Sequence, residues 1–361
     1  MKSGPEIVIV GGGPAGISTW LHLHKLAPDL AIKALVVERA CYPREKLCGG
    51  AISPPGWETL QKLDISLNIP TFEVHRAEYW ANGEVFTHQE TNFLRIIWRY
   101  SFDEHLAMEA INRGLTIHQN EEVRNLKKTQ HRFMVETSKD TYSVKVVVGA
   151  DGAVSKVRSC AEIPDPCLAS GLEVMTPVQK DYDTEFEERK TVMDFTPMKE
   201  GLQGYLWHFP FIKGSVPFMN HGVFHARINP KIPYPNLRMM FSQSLNARHL
   251  DPSSSLWKGC PLTWHARNDP MAANHVILVG DAAGIEPLLG GGIHLALWYG
   301  EVAALSIIDA YERQDFTFNN YHNQFKSHIL GKYISRFNFL AREVYFGRLN
   351  ILEAMKKVTK K

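Results

Sequence analysis

The N-terminal glycine motif is the feature that most constrains the fold of this chain. Four consecutive β-branched residues, Ile7 to Val10, run directly into Gly11-Gly-Gly13-Pro-Ala-Gly16. The β-branched run predicts a strand buried on both faces, and the glycines predict a tight turn into a helix. In such a turn the first glycine permits the bend, the second lets a phosphate approach the backbone, and the third allows the helix to pack closely on the strand. The sequence therefore predicts a pyrophosphate site at the start of a βαβ unit.

The residues that follow complete this pattern. Pro14 and Ala15 begin a helix that is predicted to reach Ala27, and its free N–H groups and dipole favour an anion. A second buried strand, residues 34–37, ends at Glu38, about 20 residues after the third glycine, where a carboxylate binds ribose hydroxyls. An acid at this position favours a free 2′-hydroxyl, so the adenosine of FAD or NAD is expected rather than that of NADP. The alternative is a structural βαβ unit without a ligand.

The composition of the chain limits its number of domains and the classes of function it can have. With 361 residues, of which 44% are hydrophobic, the chain can form two or three domains with full cores. Its 40 basic and 38 acidic residues nearly balance, so nucleic-acid binding is not expected. The five cysteines and the histidines show no paired or ligand spacing, so neither a disulfide framework nor a metal site is expected. No signal peptide or membrane span is expected, which predicts a cytoplasmic protein.

Two later stretches repeat the change from buried strand to glycine turn. Residues 144–148 lead into Gly149-Ala-Asp151-Gly152, and residues 276–279 lead into Gly280-Asp281-Ala-Ala. Between them the pattern changes to alternating apolar residues with many aromatics, which is typical of an antiparallel sheet. The sequence therefore predicts an α/β fold with an inserted β domain. The predicted ranges are 1–70, 95–165 and 270–312 for a discontinuous dinucleotide-binding domain, 71–94 and 166–269 for the inserted domain, and 313–361 for a helical tail.

The order of the three junctions resembles the FAD superfamily that contains aromatic hydroxylases, flavin-dependent halogenases and geranylgeranyl reductases. Two stretches are most similar to the geranylgeranyl-reductase branch: Tyr42-Pro-Arg-Glu-Lys-Leu-Cys-Gly-Gly-Ala-Ile-Ser53 and Tyr205-Leu-Trp-His-Phe-Pro210. The second is also distantly similar to a halogenase motif. The resemblance implies a Rossmann-like FAD-binding domain, an inserted and mainly antiparallel substrate sheet, and FAD as the cofactor of an oxidoreductase.

The resemblance also implies a set of FAD-binding residues. It places Asp281 at the ribityl or pyrophosphate part of FAD, the glycines 290–292 beside the flavin ring, and Arg99 against the cofactor. The alternatives are a helix cap for Asp281 and a solvated surface position for Arg99. The full set is Gly11, Gly13, Pro14, Ala15, Gly16, Glu38, Arg39, Arg44, Cys48, Gly49, Gly50, Arg99, Asp151, Gly280, Asp281, Gly290, Gly291, Gly292 and Ile293.

Three residues are candidates for catalysis. In similar reductases the residue equivalent to Cys48 lies beside the flavin, where a thiol could donate a proton, with Arg44 and Lys46 as neighbouring cations. The alternative for Cys48 is a small buried hydrophobic residue. Tyr205 and Trp207 are expected to line the substrate side of the flavin, although aromatic residues of an alternating sheet are also common in cores.

The sequence leaves the reaction open between oxygenation and reduction. The chain is short for a lipid reductase and lacks the acid that the reductases carry in the glycine run, so hydroxylation by reduced flavin and O₂ is placed ahead of prenyl reduction. The expected substrate is bulky, apolar or aromatic, with a protein-borne tryptophan in quinone-cofactor maturation as a special case. Electrons would come from NAD(P)H or from a separate reductase.

A third class of function depends on the tail. An electron-transfer or maturation partner would use its basic and aromatic helix, predicted over residues 333–349, to contact a protein or a peripheral membrane surface. The favoured alternative is a helix that covers the inserted sheet.

Overall fold

A computed structural model describes residues 4–129, 132–253 and 257–360. The strands are β1 (Ile7–Val10), β2 (Ala34–Val37), β3 (Ala51–Ile52), β4 (Thr71–Ala81), β5 (Glu84–Ile97), β6 (Thr116–His118), β7 (Val123–Lys128), β8 (Phe133–Thr137), β9 (Thr141–Val144), β10 (Val146–Gly149), β11 (Cys167–Pro177), β12 (Lys190–Asp194), β13 (Gly204–Lys213), β14 (Val216–His225), β15 (Lys258–Trp264), β16 (Ala272–Ala273) and β17 (Val276–Leu278). The α-helices are α1 (Pro14–Leu26), α2 (Pro28–Ala31), α3 (Pro54–Lys62), α4 (Arg99–Asn112), α5 (Lys156–Cys160), α6 (Thr184–Glu187), α7 (Leu237–Ala247), α8 (Ile293–Arg313), α9 (Tyr321–Ser327), α10 (Ile329–Tyr345) and α11 (Ile351–Thr359). Two 3₁₀ turns cover Thr196–Glu200 and Gly280–Ala282.

The first sheet has the strand order β16-β17-β10-β1-β2-β6, and its neighbouring strands are parallel except for β16 with β17. The register sets Val10 level with Gly149 on one side and with Val37 on the other. Gly149 is in turn level with Leu278. Because the carboxyl ends of parallel strands share one edge, all three glycine turns meet at that edge.

The second sheet has the order β15-β11-β14-β13-β12-β4-β5-β3 and is antiparallel except where β12 pairs with β4. Successive side chains of β13 point to opposite faces. Leu206 packs in a cluster with α7, whereas Tyr205 and Trp207 belong to a larger aromatic cluster on the other face. β7, β8 and β9 form a small third sheet.

α8 is the central helix of the first core. Its Gly300 lies where α1 comes closest, since a Cβ there would be 2.6 Å from the backbone nitrogen of Thr19. By length and composition α8 could cross a membrane, but 78% of its most apolar window is buried inside the protein. α8 is therefore a core helix.

The described part of the tail contains three helices, α9, α10 and α11, and the helix predicted over residues 333–349 ends early because the chain turns at Gly347, whose φ is +74°. α10 ends at Tyr345, and α11 begins at Ile351. Side chains of both helices join the aromatic cluster of the second sheet, including Leu340 and Leu352. The tail thus covers the inserted sheet.

Three boundaries differ from the sequence expectation. β3 and the end of β5 lie in the second sheet, because the Ile97 N–H donates to the Gly50 carbonyl oxygen and extends the ladder past residue 94. The sequence of residues 57–70 predicts a short helix, but α3 spans Pro54–Lys62. The sequence also predicts a helix from Phe102 to Arg113, but α4 begins at Arg99, so Arg99 and Asp103 lie one helical turn apart.

Candidate active site

One cavity of about 460 Å³ lies between the carboxyl edge of the first sheet and the aromatic face of the second. All the predicted site residues line it except Gly16. Gly16 is buried behind the cavity, where an added Cβ would collide with the Gly11 carbonyl oxygen, so the third glycine provides the close contact that the motif predicts. The predicted residues that meet here are Gly11, Gly13, Pro14, Ala15, Glu38, Arg39, Arg44, Cys48, Gly49, Gly50, Arg99, Asp151, Tyr205, Trp207, Gly280, Asp281, Gly290, Gly291, Gly292 and Ile293.

The glycine turns pack closely against neighbouring parts of the same edge. A Cβ on Gly11 would lie 2.7 Å from the Ala150 carbonyl carbon, and one on Gly280 would lie 2.8 Å from the Ala15 Cβ. In the described part of the chain, no side chain caps the N-terminus of α1. The N–H groups of its first turn are therefore available to a pyrophosphate, which fits a dinucleotide.

Glu38 is held in place at the end of β2. Its carboxylate accepts hydrogen bonds from the backbone N–H groups of Gly12, at 2.7 Å, and Ala40, at 2.9 Å. The Tyr42 hydroxyl donates to the Gly12 carbonyl oxygen and closes this side of the turn. Glu38 thus lines the cavity where a ribose-binding carboxylate is expected.

Asp103 organises two cavity-lining arginines. Its carboxylate accepts from Arg99 Nε at 2.6 Å and Nη2 at 2.9 Å, and it pairs with Arg44 Nη1 at 3.1 Å. Burial lowers the pKa of Arg99, but the charge and the hydrogen bonds of Asp103, together with the Cys48 side chain, outweigh this effect and raise the pKa overall. The cation that interacts with Cys48 is therefore Arg99, whereas Arg44 and Lys46 were expected in that role. Arg99 is buried, not a solvated surface residue.

The acids of the second and third junctions differ in their contacts. Asp151 accepts from the Ser155 hydroxyl at 2.6 Å and from the Val157 N–H at 3.0 Å, so its carboxylate holds the start of α5. Asp281 has an oxygen 3.9 Å from the Cβ position of Gly292, at the start of α8. Asp281 therefore faces the cavity beside the glycine run.

The glycine run has a carboxylate that the sequence analysis missed. Glu286 is fully buried, and its oxygens accept from the backbone N–H groups of Leu288 at 2.7 Å, Leu289 at 3.0 Å and Gly291 at 2.7 Å. Burial raises the pKa of Glu286 to about 7, and these N–H groups oppose the shift. The acid comes from upstream of the glycines, which is why inspection of the run itself did not find it.

The two stretches similar to geranylgeranyl reductases meet in the cavity wall. The Trp207 Nε1–H donates to the Asn220 Oδ1 at 2.7 Å, and the Asn220 Nδ2–H donates to the Cys48 carbonyl oxygen at 3.2 Å. A Cβ on Gly49 would lie 3.0 Å from the ring of Phe209, so the loop packs closely against β13 at this glycine. These contacts fix Cys48 beside the indole of Trp207.

The Tyr205 hydroxyl is engaged in a hydrogen bond with the protein. Its hydroxyl donates to the Leu289 carbonyl oxygen at 2.5 Å. Burial raises the pKa of Tyr205 well above its ordinary value, so the phenol stays neutral. Tyr205 therefore holds the loop that precedes the glycine run.

A model of the FAD-binding domain family matches residues 5–297. The chain belongs to this FAD-binding family. Digeranylgeranylglycerophospholipid reductase 2 of Methanosphaera stadtmanae is 25% identical over 353 residues, which cover 92% of this chain and 86% of that protein. A geranylgeranyl bacteriochlorophyll reductase-like protein of Thermoplasma acidophilum superposes with a TM-score of 0.75 at 20% identity, over 94% of this chain and 86% of that one. A halogenase PltM variant in complex with FAD superposes with a TM-score of 0.71 at 16% identity, over 95% of this chain and 76% of that one.

This member of the FAD-binding family is an FAD-dependent oxidoreductase. When bound, FAD supplies a two-electron carrier that can deliver a hydride. The turn at Gly11 and the start of α1 would hold its pyrophosphate, Glu38 its adenosine ribose, and Gly290 to Gly292 the edge of its ring. The aromatic face of the second sheet leaves room for a substrate on the opposite side of the cavity.

Proposed function

We propose that this oxidoreductase uses reduced FAD to saturate isolated carbon–carbon double bonds of an isoprenoid lipid. The observation that carries the proposal is the contact of Gly49 and the Cys48 carbonyl oxygen with Phe209 and the Asn220 amide. This contact joins the two stretches similar to geranylgeranyl reductases in one wall of the cavity. The name of the Methanosphaera stadtmanae relative, a digeranylgeranylglycerophospholipid reductase, supports the same substrate class.

The length and the glycine run of this chain are compatible with lipid reduction. The chain spans 86% of the length of that relative, so its length does not oppose this reaction. A carboxylate lies at the glycine run even though the run itself contains none, because Glu286 accepts from the Gly291 N–H. Oxygenation is therefore no longer favoured over reduction.

The cavity suits an apolar chain. Met193, Phe224 and Leu289 line it together with Trp207 and Phe209, and all but Leu289 are buried. Burial of an isoprenoid here would contribute about 0.8 kcal/mol per CH₂ group. Because Trp207 and Tyr205 are fixed by hydrogen bonds, they would orient the double bond instead of adapting to it.

Product analysis under anaerobic conditions tests the proposal. The holoenzyme would be reduced with dithionite, mixed with a geranylgeranyl ether lipid in detergent, and the lipid examined by mass spectrometry. The expected product carries two additional hydrogens for each saturated bond, and the apoenzyme should produce none. A lipid that remains unchanged while the flavin stays reduced would contradict the proposal.

A second candidate is hydroxylation of an aromatic substrate by reduced FAD and O₂. The buried aromatic lining favours it, because Tyr205, Trp207 and Phe224 form a dry pocket that could protect an oxygenated flavin. The same preparation mixed with O₂ and simple indoles or phenols distinguishes it, since only this candidate requires O₂. In both cases we propose that NAD(P)H or a separate reductase donates the electrons.

A further inference from the structure

A second buried carboxylate lies on the substrate side of the cavity. Glu173 is on β11, where the register sets it opposite Gly222, and Gly222 is in turn opposite Trp207. Gly222 has no side chain, so the Trp207 indole can lie across it. The Glu173 side chain is on the same face of the sheet, on the other side of Gly222. A Cβ on Gly222 would collide with the Trp207 ring. Glu173 thus faces the cavity at the level of the proposed substrate.

The hydrogen bonding of Glu173 is incomplete. Its side chain interacts with the Cys48 N–H and the Asn220 amide, yet in the described residues no donor reaches its Oε1. Only 2% of its surface is exposed. Glu286 differs from Glu173 in this respect, because each of its carboxylate oxygens accepts a hydrogen bond from a backbone N–H group. A buried carboxyl oxygen without a partner is costly unless the group is neutral or meets a ligand.

Two groups of opposite charge lie near Glu173. Lys258 is its neighbour on β15, and Glu45 lies on the loop that carries Cys48. Cys260 on β15 also lies nearby, where burial raises its pKa to about 12, so it stays neutral. Burial raises the pKa of Glu173 to about 7, with the Cys48 N–H and the Asn220 amide opposing the shift. This carboxyl therefore holds a proton below about pH 7.

We propose that Glu173 is the proton donor of the reaction, delivering its proton to the substrate carbon that does not receive the hydride. This inference rests on the proposed reduction. Reduced FAD, held at the glycine turns, would supply the hydride and both electrons for one carbon of the double bond and would end oxidised. Glu173 gives its proton to the π electron pair at the other carbon as the π bond breaks. Glu173 is left as a carboxylate, which solvent protonates before the next turnover.

The test compares the wild type with Glu173→Gln and with Glu185→Gln as the matched control. Glu185 is equally buried but lies outside the cavity and pairs with Arg248. In single turnovers of prereduced holoenzyme, the wild-type rate should fall as the pH rises through about 7. Glu173→Gln should be slower by roughly 10²-fold or more and lack this pH dependence, and the control should resemble the wild type. A Glu173→Gln variant that retains the wild-type rate and pH profile would overturn the proposal.

Infrared difference spectroscopy supplies a readout that does not depend on turnover. The carbonyl stretch of protonated carboxyls should weaken in the wild-type holoenzyme as the pH rises through about 7, and the part that belongs to Glu173 should be missing from Glu173→Gln. Glu286 titrates over the same range in both proteins, so the wild-type spectrum minus the Glu173→Gln spectrum isolates the Glu173 band. Absence of a carboxyl band from this difference at pH 5 would overturn the proposal. If the Glu173 band is present but the wild type reduces no isoprenoid, the proposed function is overturned. The substrate carbon is then also wrong as the acceptor of the Glu173 proton.

Discussion

Replacing Asp103 with Asn should destabilise the protein and weaken FAD binding. The Asp103 side chain has no exposed surface, and those of Arg99 and Arg44 are only 9% and 15% exposed. Asp103→Asn removes the negative charge that pairs with both guanidinium groups, although the two arginines stay largely buried and positively charged. Removing one partner of a buried ion pair lowers the free energy of unfolding by roughly 3–5 kcal/mol.

The melting temperature measures this loss. At an unfolding entropy of roughly 2.1 cal/mol/K per residue, a 361-residue chain should melt roughly 4–7 °C lower. Asp309→Asn is the matched control, because Asp309 also pairs with an arginine one turn away, Arg313, but on the surface of α8 with 68% of the arginine side chain exposed. The control should change stability by at most about 1 kcal/mol. If the two variants melt at the same temperature, the organising role of Asp103 is refuted.

Three further predictions concern other parts of the site. Gly222→Val should displace the Trp207 ring and lower turnover while FAD binding, measured by fluorescence titration, stays unchanged. The ordinary pKa of Glu173 is 4.5 and its folded value about 7, so its stabilising effect is complete below pH 4.5 and is lost as the pH rises through 7. Relative to Glu173→Gln, the wild type should lose roughly 3 kcal/mol over that range in denaturant titrations. Truncation after His328 removes α10 and α11, so the melting temperature should fall markedly while binding to liposomes changes little.

Much of the nucleotide-binding edge could be predicted from the sequence because its determinants are local. Gly11, Gly13 and Gly16 lie within six residues and specify a turn through steric constraints that do not depend on the rest of the fold. The strand at 276–278 and its Gly-Asp turn were predicted for the same reason. The pairing of Arg99 with Asp103 was missed because the predicted helix began at Phe102. Arg99 then lay outside the helix that places it one turn from Asp103.

The substrate side depends on contacts between distant strands. Glu173 faces the cavity because β11 pairs with β14, and this register cannot be read from β11 alone. One signal was available, since Leu172 and Val174 flank Glu173 and pack in the cluster on the opposite face. An acid between two residues of a buried face must itself point to the other face, although the alternation does not show what lies there. Glu286 was missed because its partners are backbone N–H groups in a loop that the fold closes around it.

The most direct measurement of the central claim is the fate of the reduced flavin in a stopped-flow cell. The anaerobically reduced holoenzyme would be mixed with a geranylgeranyl lipid in one experiment and with O₂ alone in another, while the flavin absorbance is recorded. We expect that the lipid alone reoxidises the flavin without O₂ and that O₂ alone returns it to the oxidised form with no oxygenated intermediate. A flavin that stays reduced with the lipid but forms a long-lived oxygenated intermediate with O₂ would contradict lipid reduction and favour hydroxylation.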